Sequence, residues 1–183
     1  GEASGGGGHS NRVFALKYSA PLEPHILLSG GWDNTVQIWD SRVGTSVRSV
    51  FGPHLVGDSL DMDDGVITTG SHRRFRALQT WDMGTGKLID DVPWIPAEDR
   101  EACMIMSSQV GHVKKGLLAA GGCGSREVRL IKSGPSGAVL GRLANLTSPV
   151  HSLSFSPLED QLAVICAHQI LIADLKFLPP KLA

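Results

Sequence analysis

Two Trp-Asp pairs, Trp39-Asp40 and Trp81-Asp82, close strand-like runs 42 residues apart, and the same slot recurs at Ile131 and Ala173 after intervals of 50 and 42 residues. A period near 40 to 45 residues confines the chain to repeat architectures in which each unit covers the apolar face of the next. The sharpest copy is Leu27 to Asp40, LLSGGWDNTVQIWD. An apolar run ends in Ser29-Gly30-Gly31, Trp32-Asp33-Asn34 makes a polar corner, and Thr35 to Trp39 alternates with period two. That order predicts a β-hairpin. Asp33 and Asn34 suit its turn because short polar side chains hydrogen-bond nearby backbone and tolerate unusual dihedrals. A lone hairpin is marginal, so Val36, Ile38 and Trp39 need further strands to cover them.

With Gly8-His9, the strand Val13 to Ser19 and a turn between Pro21 and Pro24, this hairpin resembles one whole repeat of the WD-repeat (WD40) family. The resemblance implies an all-β fold, a β-propeller built from four-stranded antiparallel blades. It also implies a hydrogen-bonded structural tetrad formed by the histidine before the first strand, a hydroxyl in the second, the turn aspartate and the third-strand tryptophan. By position these are His9, Ser29, Asp33 and Trp39. Ser, His and Asp coincide here with the residue types of a catalytic triad, but the implied role is to hold the blade together.

Taken in order, residues 1–8 read as a Gly-rich flexible leader. Four blades are expected at about 9–51, 52–91, 92–143 and 144–178, followed by a tail at 179–183. The second copy keeps His54 and Trp81 but has arginines at the turn, so its tetrad is incomplete. In the third, Ile131-Lys132 stands where Trp-Asp is expected. The fourth keeps Val150 to Pro157 as a first strand and loses the tryptophan; Pro179-Pro180 limits its outer strand. The family usually has seven blades, sometimes eight, so four imply a partial propeller. The expectation is that this is a piece whose ring is completed by the rest of its own chain or by a second copy.

The net charge of −1 gives no reason to expect a phosphate backbone or an acidic membrane as the main partner. No apolar stretch nears the roughly 18 residues of a membrane span, and no signal peptide is visible. Three cysteines without a Cys-x-x-Cys pair point to a reducing compartment, cytoplasm or nucleus, and read as buried small hydrophobes. Asn145-Leu146-Thr147 is a glycosylation sequon by pattern and is read as a plain loop.

Enzyme signatures do not survive a pass along the chain. Gly84-Thr85-Gly86-Lys87 lacks the earlier glycine and the following hydroxyl of a phosphate loop, and reads as a turn. Gly121-Gly122-Cys123-Gly124 leads into a strand, whereas a nucleotide cradle opens a helix. No histidine pairs with a cysteine or second histidine at ligand spacing, and Asp63-Asp64 and Asp90-Asp91 read as solvated turn residues. No catalytic residue, metal or cofactor is expected.

Function is expected instead on the loops at one end of the propeller. There the candidate partner-binding residues are Trp32, Arg73, Arg74, Arg76, Trp94 and Arg126, joined by His72, Phe75 and Arg100. Tryptophan and arginine desolvate a large surface while keeping directional donors, which is why they dominate binding hot spots. The resulting expectation is a non-catalytic scaffold for protein partners. Trp39-Asp40-Ser41-Arg42 also resembles the box of WD-repeat substrate receptors of cullin-RING ubiquitin ligases, which makes Arg42 the candidate contact to the ligase adaptor. A third reading, an RNA-associated propeller, rests on three arginines around Phe75.

Overall fold

The computed structural model describes residues 7–19, 23–94, 102–111, 113, 115–134 and 137–178. Fifteen strands and no helix occur among them, so no helix is long and apolar enough to cross a membrane. The strands form four antiparallel sheets in which each strand pairs with its sequence neighbour.

The first sheet contains β1 (Val13–Tyr18), β2 (Ile26–Gly31), β3 (Thr35–Asp40) and β4 (Thr45–Phe51). The second contains β5 (Leu60–Asp63), β6 (Val66–Gly70), β7 (Leu78–Asp82) and β8 (Leu88–Val92). The third contains β9 (Met104–Val110), β10 (Leu117–Cys123), β11 (Val128–Lys132) and β12 (Val139–Leu143). The fourth has three strands among the described residues, β13 (Val150–Phe155), β14 (Gln161–Cys166) and β15 (Gln169–Asp174).

The leading strands of consecutive sheets lie side by side, β1 with β5, β5 with β9 and β9 with β13. They line the axis of an open, partial β-propeller. Packing is face to face between successive sheets, as the period-two alternation requires. Leu28, Val36, Ile38 and Val50 of the first sheet meet Leu60, Ile67 and Trp81 of the second. Leu78, Val92, Ile105, Leu118 and Ile131 join the second to the third. Leu117, Val128 and Leu130 join the third to Val150, Leu153, Leu162 and Val164 of the fourth. Each such side chain stabilises the array by about 1.5–3 kcal/mol when fully buried.

Two glycines make local geometry possible. A Cβ on Gly31 would collide with the Arg12 carbonyl, and one on Gly122 with the Met104 carbonyl. The glycine run at 121–124 leads into β11 as expected, and Gly121 and Gly122 themselves lie inside β10, where a bulge in β9 brings the two backbones close. After Asp174 the chain turns in place of continuing into an outer strand. Leu175 N donates to the Asp160 carbonyl, Leu178 N donates to the Leu175 carbonyl, and both leucines are buried against the third and fourth sheets. The leader as far as residue 6, the first half of the Pro21 to Pro24 turn, Arg100 and the tail at 179–183 fall outside the described residues.

Candidate protein-interaction face

The β2–β3 turn is fixed by its own side chains. Asn34 adopts a φ of 61°, and Asp33 Oδ1 accepts from Thr35 N at 3.2 Å and from Thr35 Oγ1 at 2.9 Å. Asp33 Oδ2 lies 2.7 Å from His9 Nδ1, His9 Nε2 lies 2.7 Å from Ser29 Oγ, and Trp39 Nε1 donates to Ser29 Oγ at 2.7 Å. With a neutral imidazole protonated at Nδ1, every donor in this chain has an acceptor: Trp39 to Ser29, Ser29 to His9, and His9 to Asp33. Burial raises the Asp33 pKa, but hydrogen bonds from Thr35, His9 and Ser10 N outweigh it and hold the carboxyl below its usual range. The Ser29–His9–Asp33 order is that of a nucleophile, a base and an orienting carboxylate, but Ser29 is buried and its Oγ also accepts from Trp39 Nε1, which ties it into the blade.

The second sheet repeats only part of this. Trp81 Nε1 donates to Thr69 Oγ1 at 2.9 Å. His54 Nδ1 instead meets Asn34 Oδ1 at 2.9 Å, and Arg73 Nη2 donates to the same oxygen at 2.7 Å. The turn of the first sheet and the β6–β7 loop of the second are therefore tied together through Asn34. Burial, then the nearby charges of Arg73 and His72, pushes the His54 pKa down, consistent with a neutral ring donating to the amide oxygen.

The candidate binding residues do not all converge. Trp32 packs by its own loop, with its ring 5.1 Å from that of Phe14 and 5.3 Å from the Arg12 guanidinium. Arg126 is exposed on the β10–β11 loop. Arg74, Arg76 and Trp94 do come together: with Phe75, Ala77, Asp91, Val92 and Pro93 they line an open cleft of about 350 Å³. Arg76 Nε is 2.5 Å from Asp91 Oδ2, and Phe75 is 81% exposed. Trp94 Nε1 has no hydrogen-bond partner among the described residues.

Behind Trp94 lies a charge that the sequence reading missed. The Arg129 guanidinium sits 4.3 Å from the centre of the Trp94 ring and is 2.8 Å from Glu127 Oε1. Both charged side chains are buried. Their period-two spacing at the start of an apolar strand was the one available signal, since it puts Arg129 of β11 and Glu127 just before it on the same side of the chain.

Arg42 is engaged within its own turn. Its Nη2 is 2.6 Å from Asp40 Oδ2 and its Nε is 2.9 Å from Asp40 Oδ1; this hydrogen bonding lowers the Asp40 pKa to about 2. Gly84 to Lys87 forms a tight turn, closed by Thr85 N donating to Asp82 Oδ1 at 2.6 Å. Asp91 is committed to Arg76, and Asp64 stands exposed in a turn. Of the three cysteines read as buried, Cys103 and Cys166 are buried and Cys123 is only half-buried. Burial pushes the Cys103 thiol up to about 11. No group of three or more His, Cys, Asp or Glu side chains able to hold a metal occurs among the described residues.

Comparison with known proteins fits this architecture. Residues 6–40 match the family model described as WD domain, G-beta repeat. The chain is 42% identical over 45 residues to the probable E3 ubiquitin ligase complex SCF subunit scon-2 of Neurospora crassa, covering 25% of this chain and 7% of that protein. It is 30% identical over 86 residues to autophagy-related protein 16 of Arabidopsis thaliana, covering 46% of this chain and 16% of that protein. The matches thus span a small part of these relatives' own length. Among solved structures, the computationally designed Ika8 protein superposes with a TM-score of 0.69 at 23% identity, covering 92% of this chain and 47% of that one, a likeness of fold alone. A WD40 repeat at residues 6–40, followed by an array of like antiparallel sheets, gives the chain the architecture of a WD40-type β-propeller.

Proposed function

We propose that this chain is a non-catalytic scaffold that docks protein partners on the end of the propeller carrying the β2–β3, β6–β7 and β10–β11 loops. The observation that carries this reading is the cleft of Arg74, Phe75, Arg76 and Trp94. An exposed aromatic ring beside guanidinium groups offers a partner apolar contact and several donors at once. Arg73, Trp32 and Arg126 extend the surface on neighbouring loops. The remaining blades come from the rest of the chain or from a second copy.

The test is proximity labelling in cells with the wild type and the paired substitution Arg74→Glu, Phe75→Ala, after equal melting temperatures establish an intact fold. The reading holds if a defined set of neighbours is lost in the variant, and fails if the neighbours are unchanged.

The SCF-subunit relative favours a second reading, a ubiquitin-ligase substrate receptor with Arg42 touching the adaptor. On that reading Arg42→Ala abolishes capture of the ligase adaptor, while Arg74→Glu leaves it intact. An RNA-associated role would instead appear as salt-sensitive binding of single-stranded RNA by the wild type.

A further inference from the structure

We propose that Met104, Met106 and Cys123 form a soft-metal site that takes copper(I). The pairing of β9 with β10 sets these three residues side by side. Cys123 lies directly opposite Met104 in register, so their side chains leave the same face of the sheet. Met106 follows two residues later on the half-buried side of β9, whereas Ile105 between them points into the core shared with the second sheet. The register of β9 shifts at this point: Gly121 pairs with Ser107 and Gly122 with Ile105, leaving Met106 as the inserted residue. Its Sδ lies 3.2 Å from Cys123 Sγ.

The chemistry of the donors selects the ion. One thiol and two thioethers are soft, polarisable ligands that favour copper(I), whereas zinc, magnesium and calcium require thiolate, imidazole or oxygen ligands in greater number. No cluster of His, Cys, Asp and Glu competes among the described residues. All three residues are half-buried, which shields a bound monovalent ion while leaving a path from solvent. Binding is a ligand substitution: the Cys123 S–H bond breaks, the sulfur binds the incoming copper(I), and the proton passes to water. No electron moves, so the metal must be supplied already as copper(I).

Anaerobic titration of the purified, reduced protein with copper(I) against bicinchoninate reads the site directly. One equivalent is expected to be withdrawn from the chelator, with X-ray absorption showing sulfur ligands alone. Cys123→Ser is expected to abolish the uptake, and Cys103→Ser and Cys166→Ser to leave it unchanged. Because a cysteine substitution can disturb folding, Met104→Leu with Met106→Leu serves as the second arm. This nearly volume-conserving change retains the thiol. It is expected to weaken copper(I) binding by more than the roughly tenfold that even an outer-sphere partner contributes. The proposal is overturned if the wild type withdraws no copper, if uptake survives Cys123→Ser, or if the double leucine variant binds as tightly as the wild type.

Discussion

Lys17 Nζ of the first sheet lies 2.9 Å from Asp61 Oδ1 of the second, and Asp61 Oδ2 accepts a hydrogen bond from Val110 N of the third at 2.9 Å. One fully buried carboxylate thereby ties three successive sheets together beside the axis, while Met62 N donates to it at 2.8 Å. Asp61→Ala leaves two buried N–H groups and one ammonium without their acceptor. The expected loss is about 2–3 kcal/mol, most of it from the orphaned backbone donors. Lys17→Met strands the buried Asp61 carboxylate without its counter-charge and should cost about 3 kcal/mol or more. Urea unfolding checks both: the midpoint should fall for each variant at unchanged slope, and an unchanged midpoint for Lys17→Met would show that the ion pair adds nothing to stability.

Asp33 gives the fold a dependence on acid. Its pKa is lowered in the folded state, so its contribution is fully present above the ordinary carboxylate pKa and disappears as pH falls through the depressed value. The melting temperature of the wild type should therefore decline as pH is taken from about 5 toward 2. Asp33→Asn removes this titration and should melt lower at pH 7 with a shallower decline toward acid. Equal slopes for the two proteins would show that other carboxylates carry the effect.

The arrangement of strands was legible in the sequence because it depends on period-two patterning and on recurrence, both local signals. The hairpin at residues 26–40 and the strands Gln161–Cys166 and Gln169–Asp174 are examples. What depends on contact between sheets was not. Nothing local marks Asp61 as the partner of Lys17, or Arg129 as a charge held beneath Trp94; those pairings arise only once strands distant in sequence are stacked. The bulge that inserts Met106 was equally hidden, since it follows from the close approach at Gly122. The grouping of the candidate loop residues was read too broadly, because Trp32 spends its ring on Phe14 and Arg12 and stays apart from the cleft.

Arg129 and Glu127 test how a buried ion pair contributes. Removing one partner strands the other in the core, so Arg129→Met alone should destabilise by about 3 kcal/mol or more. Combining it with Glu127→Leu removes the stranded charge and should bring stability to within about 2 kcal/mol of the wild type, the remainder reflecting the lost cation–π contact with Trp94. Chemical denaturation of the two single variants and the double variant measures the coupling, and simple additivity would show that the pair is not energetically linked.

The outward face of the fourth sheet sets the last expectation. Ile165 pairs directly with Ile170, and Ile172 follows two residues on, so all three leave the side opposite the core shared with the third sheet. Ile170 and Ile172 are each 70% exposed, and β15 pairs only with β14 among the described residues. An apolar face beside an open strand edge invites pairing with another sheet. At the other end of the array, Leu16 and Tyr18 of β1 are 64% and 61% exposed, which supplies a second apolar face. The purified chain should therefore self-associate as its concentration rises. Ile170→Lys with Ile172→Lys should abolish that association without lowering the melting temperature by more than a few degrees, because neither side chain contributes to the core. Size-exclusion chromatography with light scattering decides the matter: a monomer at every concentration for both proteins would show that these faces do not drive assembly.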